Sequence, residues 1–256
     1  MKKKIVIANW KMNPATSMEA NKIFESVAKS VSRIKKTEVV ICPPYIFLDK
    51  LSKIRTSKVK LGCQDAFWGD VGPYTGEVSG EMLYNVGVGY AILGHSERRA
   101  QGETNDQINK KVKAAIASGL VPILCVGERE RDESHKYFET VKTQVRECLN
   151  GVSRSSLYKV IIAYEPVWAL SSTVNRRDAT PVDASEMAMF IRKVLSDITS
   201  PDIASDVRIL YGGSVNERDV EEFFVNGGVD GVLVGKASLD PKKFTEIINI
   251  CEALKN

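Results

Sequence analysis

Four polar side chains suited to binding and proton transfer follow short apolar segments of the sequence. Asn9 and Lys11 end the first such segment, His95 follows the fourth and Glu165 follows the sixth. A carboxylate leaving a buried segment can act as a general base, and an imidazole can donate or accept a proton. An ammonium group can offset the charge of an anion. These residue types are suited to acid–base chemistry on a small anionic molecule.

Two glycine-containing segments nearer the carboxyl terminus have the composition of anion-binding turns. The first reads Tyr-Gly-Gly-Ser-Val and begins at Tyr211, and the second reads Val-Gly-Lys-Ala-Ser and begins at Val234. Glycine lets backbone N–H groups approach an anion closely. Together with the acid–base candidates, the two turns indicate a site for a phosphorylated molecule.

The apolar segments that precede these residues are strand candidates. Short, β-branched runs recur with helical patterns between them, which is typical of strand–helix units on a parallel sheet. Each run is almost continuously apolar, as expected for strands buried on both faces. The predicted strands are Ile5–Trp10, Glu38–Cys42, Val59–Cys63, Tyr90–Leu93, Val121–Val126, Val160–Tyr164, Val207–Tyr211 and Gly231–Val234.

Helical patterns separate the strands. Proline follows Thr180 and Asp240, and this residue suits the first turn of a helix. The predicted helices include Ser17–Ser32, Asn105–Ser118, His135–Leu149, Asp183–Asp197, Glu217–Asn226 and Pro241–Leu254.

Eight strand–helix units in 256 residues match the usual size of one closed (β/α)8 barrel. A doubly wound sheet usually has fewer strands and begins with a glycine-rich fingerprint, which the first strand here lacks. No long Pro-, Gly- or Ser-rich stretch divides the chain, so we expect a single α/β domain over residues 1–256. In such a barrel, function lies at the carboxyl ends of the strands, and phosphate is usually bound after the last two.

Composition argues against several other classes of protein. The chain is 43% hydrophobic and 27% charged, as in ordinary globular proteins. Its net charge of +4 is spread along the sequence, whereas nucleic-acid-binding proteins usually concentrate basic residues on one face. Two distant histidines and five cysteines without a C-x-x-C motif argue against a metal site. We expect no metal and no nucleic-acid partner.

The amino terminus and the cysteines predict a cytoplasmic protein. The apolar run before Asn9 has four residues, too few for a signal peptide. No run approaches the length of about 18 residues that a membrane helix needs, so no membrane association is expected. An odd number of widely spaced cysteines fits a reducing compartment.

Six motifs occur in order along the chain. They are ANWKMN from Ala8, YTGEVS from Tyr74, LGHSERR from Leu93, CVGE from Cys125, AYEPVWA from Ala163 and YGGSV from Tyr211. With these motifs, the chain resembles the triosephosphate isomerase family over essentially its full length. The resemblance implies a TIM barrel and an isomerase that needs no cofactor. Its implied reaction interconverts dihydroxyacetone phosphate and D-glyceraldehyde 3-phosphate through an enediolate, in glycolysis and gluconeogenesis.

The resemblance also implies roles for the residues at the strand ends. Glu165 is the implied base that carries a proton between two substrate carbons. His95 is implied to donate a hydrogen bond to the carbonyl oxygens as a neutral imidazole. A helical turn that starts at Ser96 would favour the neutral form over the protonated one. Lys11 would offset the substrate's charge and Asn9 would donate a hydrogen bond. Apolar neighbours expected to desolvate Glu165 are Pro166, Val167, Leu170 and Leu233.

Further implied residues support these groups or hold the phosphate. Glu97 either supports Lys11 and proton movement near His95 or forms a purely structural ion pair. Ser214, Gly235 and Lys236 are implied to present backbone N–H groups to the phosphate.

The segment from Gly72 to Glu77 resembles the family's protruding loop, which inserts into a neighbouring subunit. The resemblance therefore implies a homodimer in which Thr75 lies near the partner's active site. The alternative is an ordinary surface loop.

The lid segment, Leu170 to Asp178, departs from the family's pattern. It contains no glycine and is about three residues longer than the familiar form. Ser171 stands at the position that matches the phosphate-binding glycine, and its N–H remains a candidate ligand. Arg176 and Arg177 either reach the phosphate or are merely solvated.

This departure leaves two alternatives to a triosephosphate isomerase. One is a phosphate-binding relative without catalysis, in which the altered lid no longer closes productively. The other is an isomerase or lyase for a larger phosphosugar, with the longer lid making room for it.

Overall fold

Eight parallel strands pair side by side in chain order, and β1 pairs with β8 to close a barrel. The computed structural model describes residues 2–170, 173 and 176–254. The strands are β1 (Lys4–Asn9), β2 (Thr37–Cys42), β3 (Val59–Cys63), β4 (Val88–Leu93), β5 (Val121–Val126), β6 (Ile161–Tyr164), β7 (Arg208–Tyr211) and β8 (Gly231–Val234). The predicted (β/α)8 barrel is confirmed.

Helices surround the barrel between successive strands. The α-helices are α1 (Ser17–Ser30), α2 (Tyr45–Ser52), α3 (Gly80–Asn85), α4 (Ser96–Ala100), α5 (Asn105–Ala117), α6 (Lys136–Cys148), α7 (Arg154–Leu157), α8 (Pro181–Ile198), α9 (Pro201–Asp206), α10 (Val220–Val225) and α11 (Pro241–Ala253). Two short 3-10 helices cover Val167–Ala169 and Lys236–Leu239. No helix in the described ranges is long and apolar enough to cross a membrane.

Both faces of the strands are buried, because successive side chains alternate between two apolar clusters. Ile5 and Ile7 of β1 point into the barrel, where they pack with residues such as Ile92 and Leu210. Val6 and Ala8 belong instead to the larger cluster between the strands and the helices. This double burial explains the nearly continuous apolar runs in the sequence.

The predicted strands occur at the expected places, and β3, β5 and β8 have the predicted bounds. Strand β1 lies one residue earlier than predicted, because Lys11 adopts a left-handed turn with φ of 53° and the ladder stops at Asn9. Strands β2 and β4 begin earlier than Glu38 and Tyr90, at Thr37 and Val88. Strands β6 and β7 each begin one residue later than predicted.

Helix limits differ from prediction at several capping residues. His135 and Asp219 are N-caps, so α6 and α10 begin after them. Conversely, α8 begins at Pro181 rather than Asp183, because the Thr180 side chain caps the helix through a capping box. Helices α1, α5, α6, α10 and α11 end one or two residues before the predicted limits, whereas α8 ends one residue after its limit.

Candidate functional site

A cleft of about 770 Å³ opens at the carboxyl ends of the strands. This is the end of a (β/α)8 barrel at which ligands bind. Among the residues that line the cleft are Asn9, Lys11, His95, Glu165, Ser214, Gly235 and Lys236. The structure therefore brings together candidates from the ends of five strands, as the sequence predicts.

Glu165 lies at the floor of this cleft, directly after β6, and is 2% exposed. One carboxylate oxygen, Oε2, accepts a hydrogen bond from the backbone N–H of Ser96 at 3.0 Å. The other, Oε1, lies 3.1 Å from Nε2 of His95. Of the four apolar neighbours expected for this carboxylate, Leu170 and Leu233 also line the cleft.

His95 is the N-cap of α4, which begins at Ser96 as predicted. Its Nδ1 accepts a hydrogen bond from the backbone N–H of Glu97 at 3.2 Å. In a neutral ring with Nδ1 as acceptor, the proton is on Nε2, the atom that faces Glu165. The backbone at the start of α4 therefore orients the imidazole with its N–H toward the carboxylate.

Lys11 is held in a left-handed conformation, with φ of 53°. This conformation is costly for a residue with a Cβ and persists where surrounding contacts fix it. Asn9 Oδ1 accepts from the Lys11 N–H at 3.0 Å, and the Gln64 side chain donates to the Lys11 carbonyl at 2.8 Å. The Lys11 ammonium lies 2.7 Å from Glu97 Oε1. These contacts fix the ammonium at the edge of the cleft.

The turns after β7 and β8 also line the cleft. Ser214 follows β7, and Gly235 and Lys236 follow β8, where a short 3-10 helix begins. Loops after the last two strands, together with a short extra helix, are the usual phosphate site of this architecture. The two predicted anion-binding turns therefore lie beside each other.

Two glycines lie close against Glu165. A Cβ on Gly127 would lie 1.8 Å from the Glu165 carbonyl oxygen, too close for any side chain. A Cβ on Gly212 would lie 3.0 Å from Cγ of Glu165 and 3.2 Å from the Tyr164 carbonyl oxygen. Both positions let neighbouring loops pack against Glu165 without displacing it.

The two arginines of the lid segment have different surroundings. Arg176 lines the cleft, and its Nη1 donates to Ser214 Oγ at 3.2 Å. Arg177 lies over the ring of Trp168, with 4.3 Å between the guanidinium carbon and the ring centroid. From the sequence, the same two roles are possible for both residues. The structure places only Arg176 against one of the predicted anion-binding turns.

The residues between Glu165 and the lid segment are attached to the barrel through a buried carboxylate. Glu128 Oε1 accepts hydrogen bonds from the Trp168 indole at 2.8 Å and from the Tyr164 hydroxyl at 2.7 Å. Arg131 also pairs with this oxygen, at 3.2 Å. These contacts fix the segment that immediately follows Glu165.

Two predicted residues fall elsewhere. Ser171 lies outside the described residues, so its predicted phosphate contact stays a prediction. Thr75 lies on an exposed loop after β3 and is not part of the described lining of the cleft. In the described ranges, no group of three or more His, Cys, Asp or Glu side chains is arranged to hold a metal ion.

Sequence reasoning missed two residues that support the site. Gln64 bridges the carbonyl oxygens of Lys11 and Cys42 at 2.8 and 2.9 Å. The sequence predicts a helical turn from Ser96, but not that the Ser96 N–H donates to Glu165. A polar residue directly after β3 is a signal that could have identified Gln64, whereas a backbone donor leaves no signal in side-chain type.

Comparison with known proteins identifies relatives over almost the whole chain. The family model described as Triosephosphate isomerase matches residues 4–251. The triosephosphate isomerase of Dictyoglomus thermophilum is 43% identical over 251 residues, which cover 97% of this chain and 99% of the relative. That of Caldanaerobacter subterraneus subsp. tengcongensis is 43% identical over 252 residues, with 97% and 100% coverage. That of Moorella thermoacetica is 41% identical over 253 residues, with 97% and 99% coverage.

Proposed function

The chain belongs to the triosephosphate isomerase family, and we propose that it interconverts dihydroxyacetone phosphate and D-glyceraldehyde 3-phosphate through an enediolate. The observation that carries this proposal is the 3.1 Å approach of Glu165 Oε1 to His95 Nε2 at the floor of the cleft. A base and an N–H donor meet there, and two phosphate-type turns line the same cleft. The reaction belongs to glycolysis and gluconeogenesis.

Glu165 is the proposed base. Isomerisation removes a weakly acidic proton from the carbon beside a carbonyl group and returns it to the neighbouring carbon. The carboxylate is buried in the cleft that Leu170 and Leu233 also line, where it can act as a general base toward a bound substrate. To accept a proton from a substrate carbon, the carboxylate exchanges its 3.1 Å contact with His95 Nε2 for one with the substrate C–H.

His95 is the proposed donor to the developing negative charge. Removal of the carbon proton places charge on the carbonyl oxygen, and a preoriented N–H stabilises that charge without rearrangement. The hydrogen bond from Glu97 N to Nδ1 keeps the Nε2 proton directed into the cleft. The same imidazole can serve both oxygens of the enediolate in turn, so that the hydroxyl proton leaves one oxygen and the other oxygen gains one.

Lys11 and Asn9 are proposed to offset and orient the substrate's charge. The Lys11 ammonium lines the cleft and has Glu97 as its partner, so both groups are held in place. We assign Glu97 the supporting role for Lys11, since its carboxylate lies 2.7 Å from Nζ but 3.6 Å from Nδ1 of His95.

Ser214, Gly235 and Lys236 are proposed to hold the phosphate group. Their turns meet at one part of the cleft, and backbone N–H groups there can bind an anion that takes no part in the chemistry. Binding energy from this remote group is then available in the transition state.

We further propose that the protein acts as a homodimer with Thr75 near the partner's active site. The loops and helices that follow β1, β2 and β3 expose large apolar side chains on neighbouring parts of the barrel, as an interface requires. They are Met12, Ile46, Val71, Tyr74 and Met82. Sedimentation at micromolar concentration is expected to give a dimer, and a species of only 28 kDa would contradict this proposal.

A cytoplasmic location is also proposed. All five cysteines are free and buried. Burial raises the pKa of the Cys148 and Cys251 thiols to about 11, so they stay protonated and unreactive at neutral pH. Free thiols of this kind suit a reducing compartment.

The experiment that tests the function is steady-state turnover of D-glyceraldehyde 3-phosphate, with Glu165→Gln as control for contaminating isomerase. We expect rapid turnover by the native chain and a loss of at least about 10³-fold in kcat for the variant. Equal inactivity of both proteins, with inorganic phosphate still bound, would favour a phosphate-binding relative. Preference for a longer sugar phosphate would indicate a different isomerase.

A further inference from the structure

Arg176 lies where the turn after β7 meets the cleft. Its Nη1 is 3.2 Å from the Ser214 hydroxyl oxygen, and the residue lines the same cavity as Lys11 and Gly235. From these contacts we propose that the Arg176 guanidinium binds the phosphate group of the substrate. This inference rests on the proposed function, because the triose phosphate supplies that group.

The chemistry of the guanidinium matches this position. It is planar, always charged, and presents parallel N–H donors that fit two oxygens of a phosphate. Nη1 is already within hydrogen-bond distance of the Ser214 hydroxyl, so the guanidinium lies next to the turn that would hold the anion. Arg176 therefore supplies side-chain donors from a lid segment that contains no glycine.

A competing partner of Arg176 is too exposed to hold it firmly. Asp178 Oδ1 lies 3.3 Å from Nη2, but the Arg176 and Asp178 side chains are 38% and 78% exposed. Exposed ion pairs of this kind contribute little free energy. A phosphate dianion deeper in the cleft carries more charge and is less solvated, so it displaces Asp178.

The next residue provides a matched control. Arg177 carries the same charge on the same segment, but its guanidinium lies over Trp168 and 4.0 Å from Asp183 Oδ1. It is outside the described lining of the cleft. Loss of a positive charge from the segment can therefore be separated from loss of the contact at Ser214.

Binding of inorganic phosphate is the first test, measured by calorimetry and as competitive inhibition. Arg176→Ala is expected to weaken binding by about 10- to 100-fold, as for the loss of a charged hydrogen-bond partner. Arg176→Lys keeps the positive charge but lacks the parallel N–H donors of the guanidinium, so an intermediate loss of phosphate affinity is expected. Arg177→Ala is expected to bind phosphate as the native chain does. Equal affinity in the native chain and Arg176→Ala would overturn the inference.

A second readout separates phosphate contact from a structural effect. With D-glyceraldehyde 3-phosphate, kcat/KM of Arg176→Ala is expected to fall by about 10- to 100-fold. With unphosphorylated D-glyceraldehyde it should not fall, and added guanidinium ion should restore part of the loss on the phosphorylated substrate. An equal fall with both substrates would show that Arg176 acts on the base and would overturn the inference.

The two proposals fail in different ways. If the native chain lacks isomerase activity but phosphate binding still weakens in Arg176→Ala, the reaction is wrong and the phosphate contact stands. If the native chain is active and phosphate binding is unchanged in Arg176→Ala, the function stands and the phosphate contact is wrong.

Discussion

The two ends of the barrel compensate charge in different ways. At the amino end, the carboxylate of Glu38 accepts hydrogen bonds from Arg208, Lys60 and Tyr90, which begin or lie early in other strands. The Glu38 and Arg208 side chains are only 14% and 20% exposed. Burial alone would raise the pKa of Glu38, but the three hydrogen bonds outweigh it and lower that pKa to about 2.

At the carboxyl end, the charged groups face a cleft and are less enclosed. The side chains of the Lys11–Glu97 pair are 27% and 45% exposed. Lys236 and Arg176 also line the cleft, beside two glycine-containing turns. The Glu38 carboxylate is mostly buried and forms hydrogen bonds that link several strands. The partly exposed cations at the carboxyl end remain available to an anionic ligand. We infer that the amino end supports stability and the carboxyl end supports binding and chemistry.

Removing the imidazole should affect the carboxyl end alone. We expect His95→Gln to lower kcat by about 10²- to 10³-fold, because the donor to the developing oxyanion is lost. Its free energy of unfolding should change by no more than about 1 kcal/mol. Turnover and urea unfolding of the same preparation check both parts. A large loss of stability without a loss of kcat would reverse the proposed division between the two ends.

Removing the charge of Glu38 should have the opposite effect. We expect Glu38→Gln to reduce the free energy of unfolding by about 3 kcal/mol, because Arg208 is left without its partner in a mostly buried position. The value of kcat should be unchanged, since the residue lies at the far end of the barrel.

A matched control for this substitution is Glu139→Gln. Glu139 pairs with Lys142 at 3.1 Å, but the two side chains are 70% and 36% exposed. An exposed pair contributes at most about 1 kcal/mol, so this variant should unfold at nearly the native urea concentration. Equal losses of unfolding free energy in Glu38→Gln and Glu139→Gln would mean that burial of the Glu38 carboxylate does not increase its contribution to stability.

The same carboxylate gives the stability a defined pH dependence. The pKa of Glu38 is about 2 in the folded chain, against an ordinary value of 4.5. Because the folded pKa is depressed, its stabilisation is complete above pH 4.5 and is lost as the pH falls toward 2. The difference in unfolding free energy between the native chain and Glu38→Gln should therefore shrink over that range. Urea titrations at several pH values measure it, and a constant difference would contradict the assignment.

Much of the fold follows from the sequence because the pattern of burial is simple. Strands buried on both faces produce continuous apolar runs, and proline or threonine marks the start of helices such as α8. Short helices are harder to predict. Helix α2 begins at Tyr45 without a side-chain cap, and α7 has only four residues, so neither has a strong local signal.

The candidate site was predictable to the extent that it consists of side chains at strand ends. Asn9, Lys11, His95 and Glu165 all fall in this class, because the barrel brings the carboxyl ends of its strands together. Contacts that depend on tertiary placement leave no such pattern.

Two examples show what the sequence does not reveal. Glu38 and Arg208 are 170 positions apart and meet only through closure of the barrel. The different surroundings of Arg176 and Arg177 likewise depend on the path of the segment and not on residue type.

The smallest expected effect compares one glycine at each end of the barrel. A Cβ on Gly212 would lie 3.0 Å from Cγ of Glu165, so Gly212→Ala must displace the base by a few tenths of an ångström. We expect kcat to fall by about 10-fold, since catalytic geometry is sensitive to such shifts. Gly89, in β4, is the control, because its added Cβ would have only the Leu61 carbonyl oxygen nearby, at 3.9 Å. Gly89→Ala should retain the native kcat. If both variants retain the native kcat, the glycine after β7 is not needed to keep Glu165 in place. Catalysis would then tolerate a small displacement of this carboxylate.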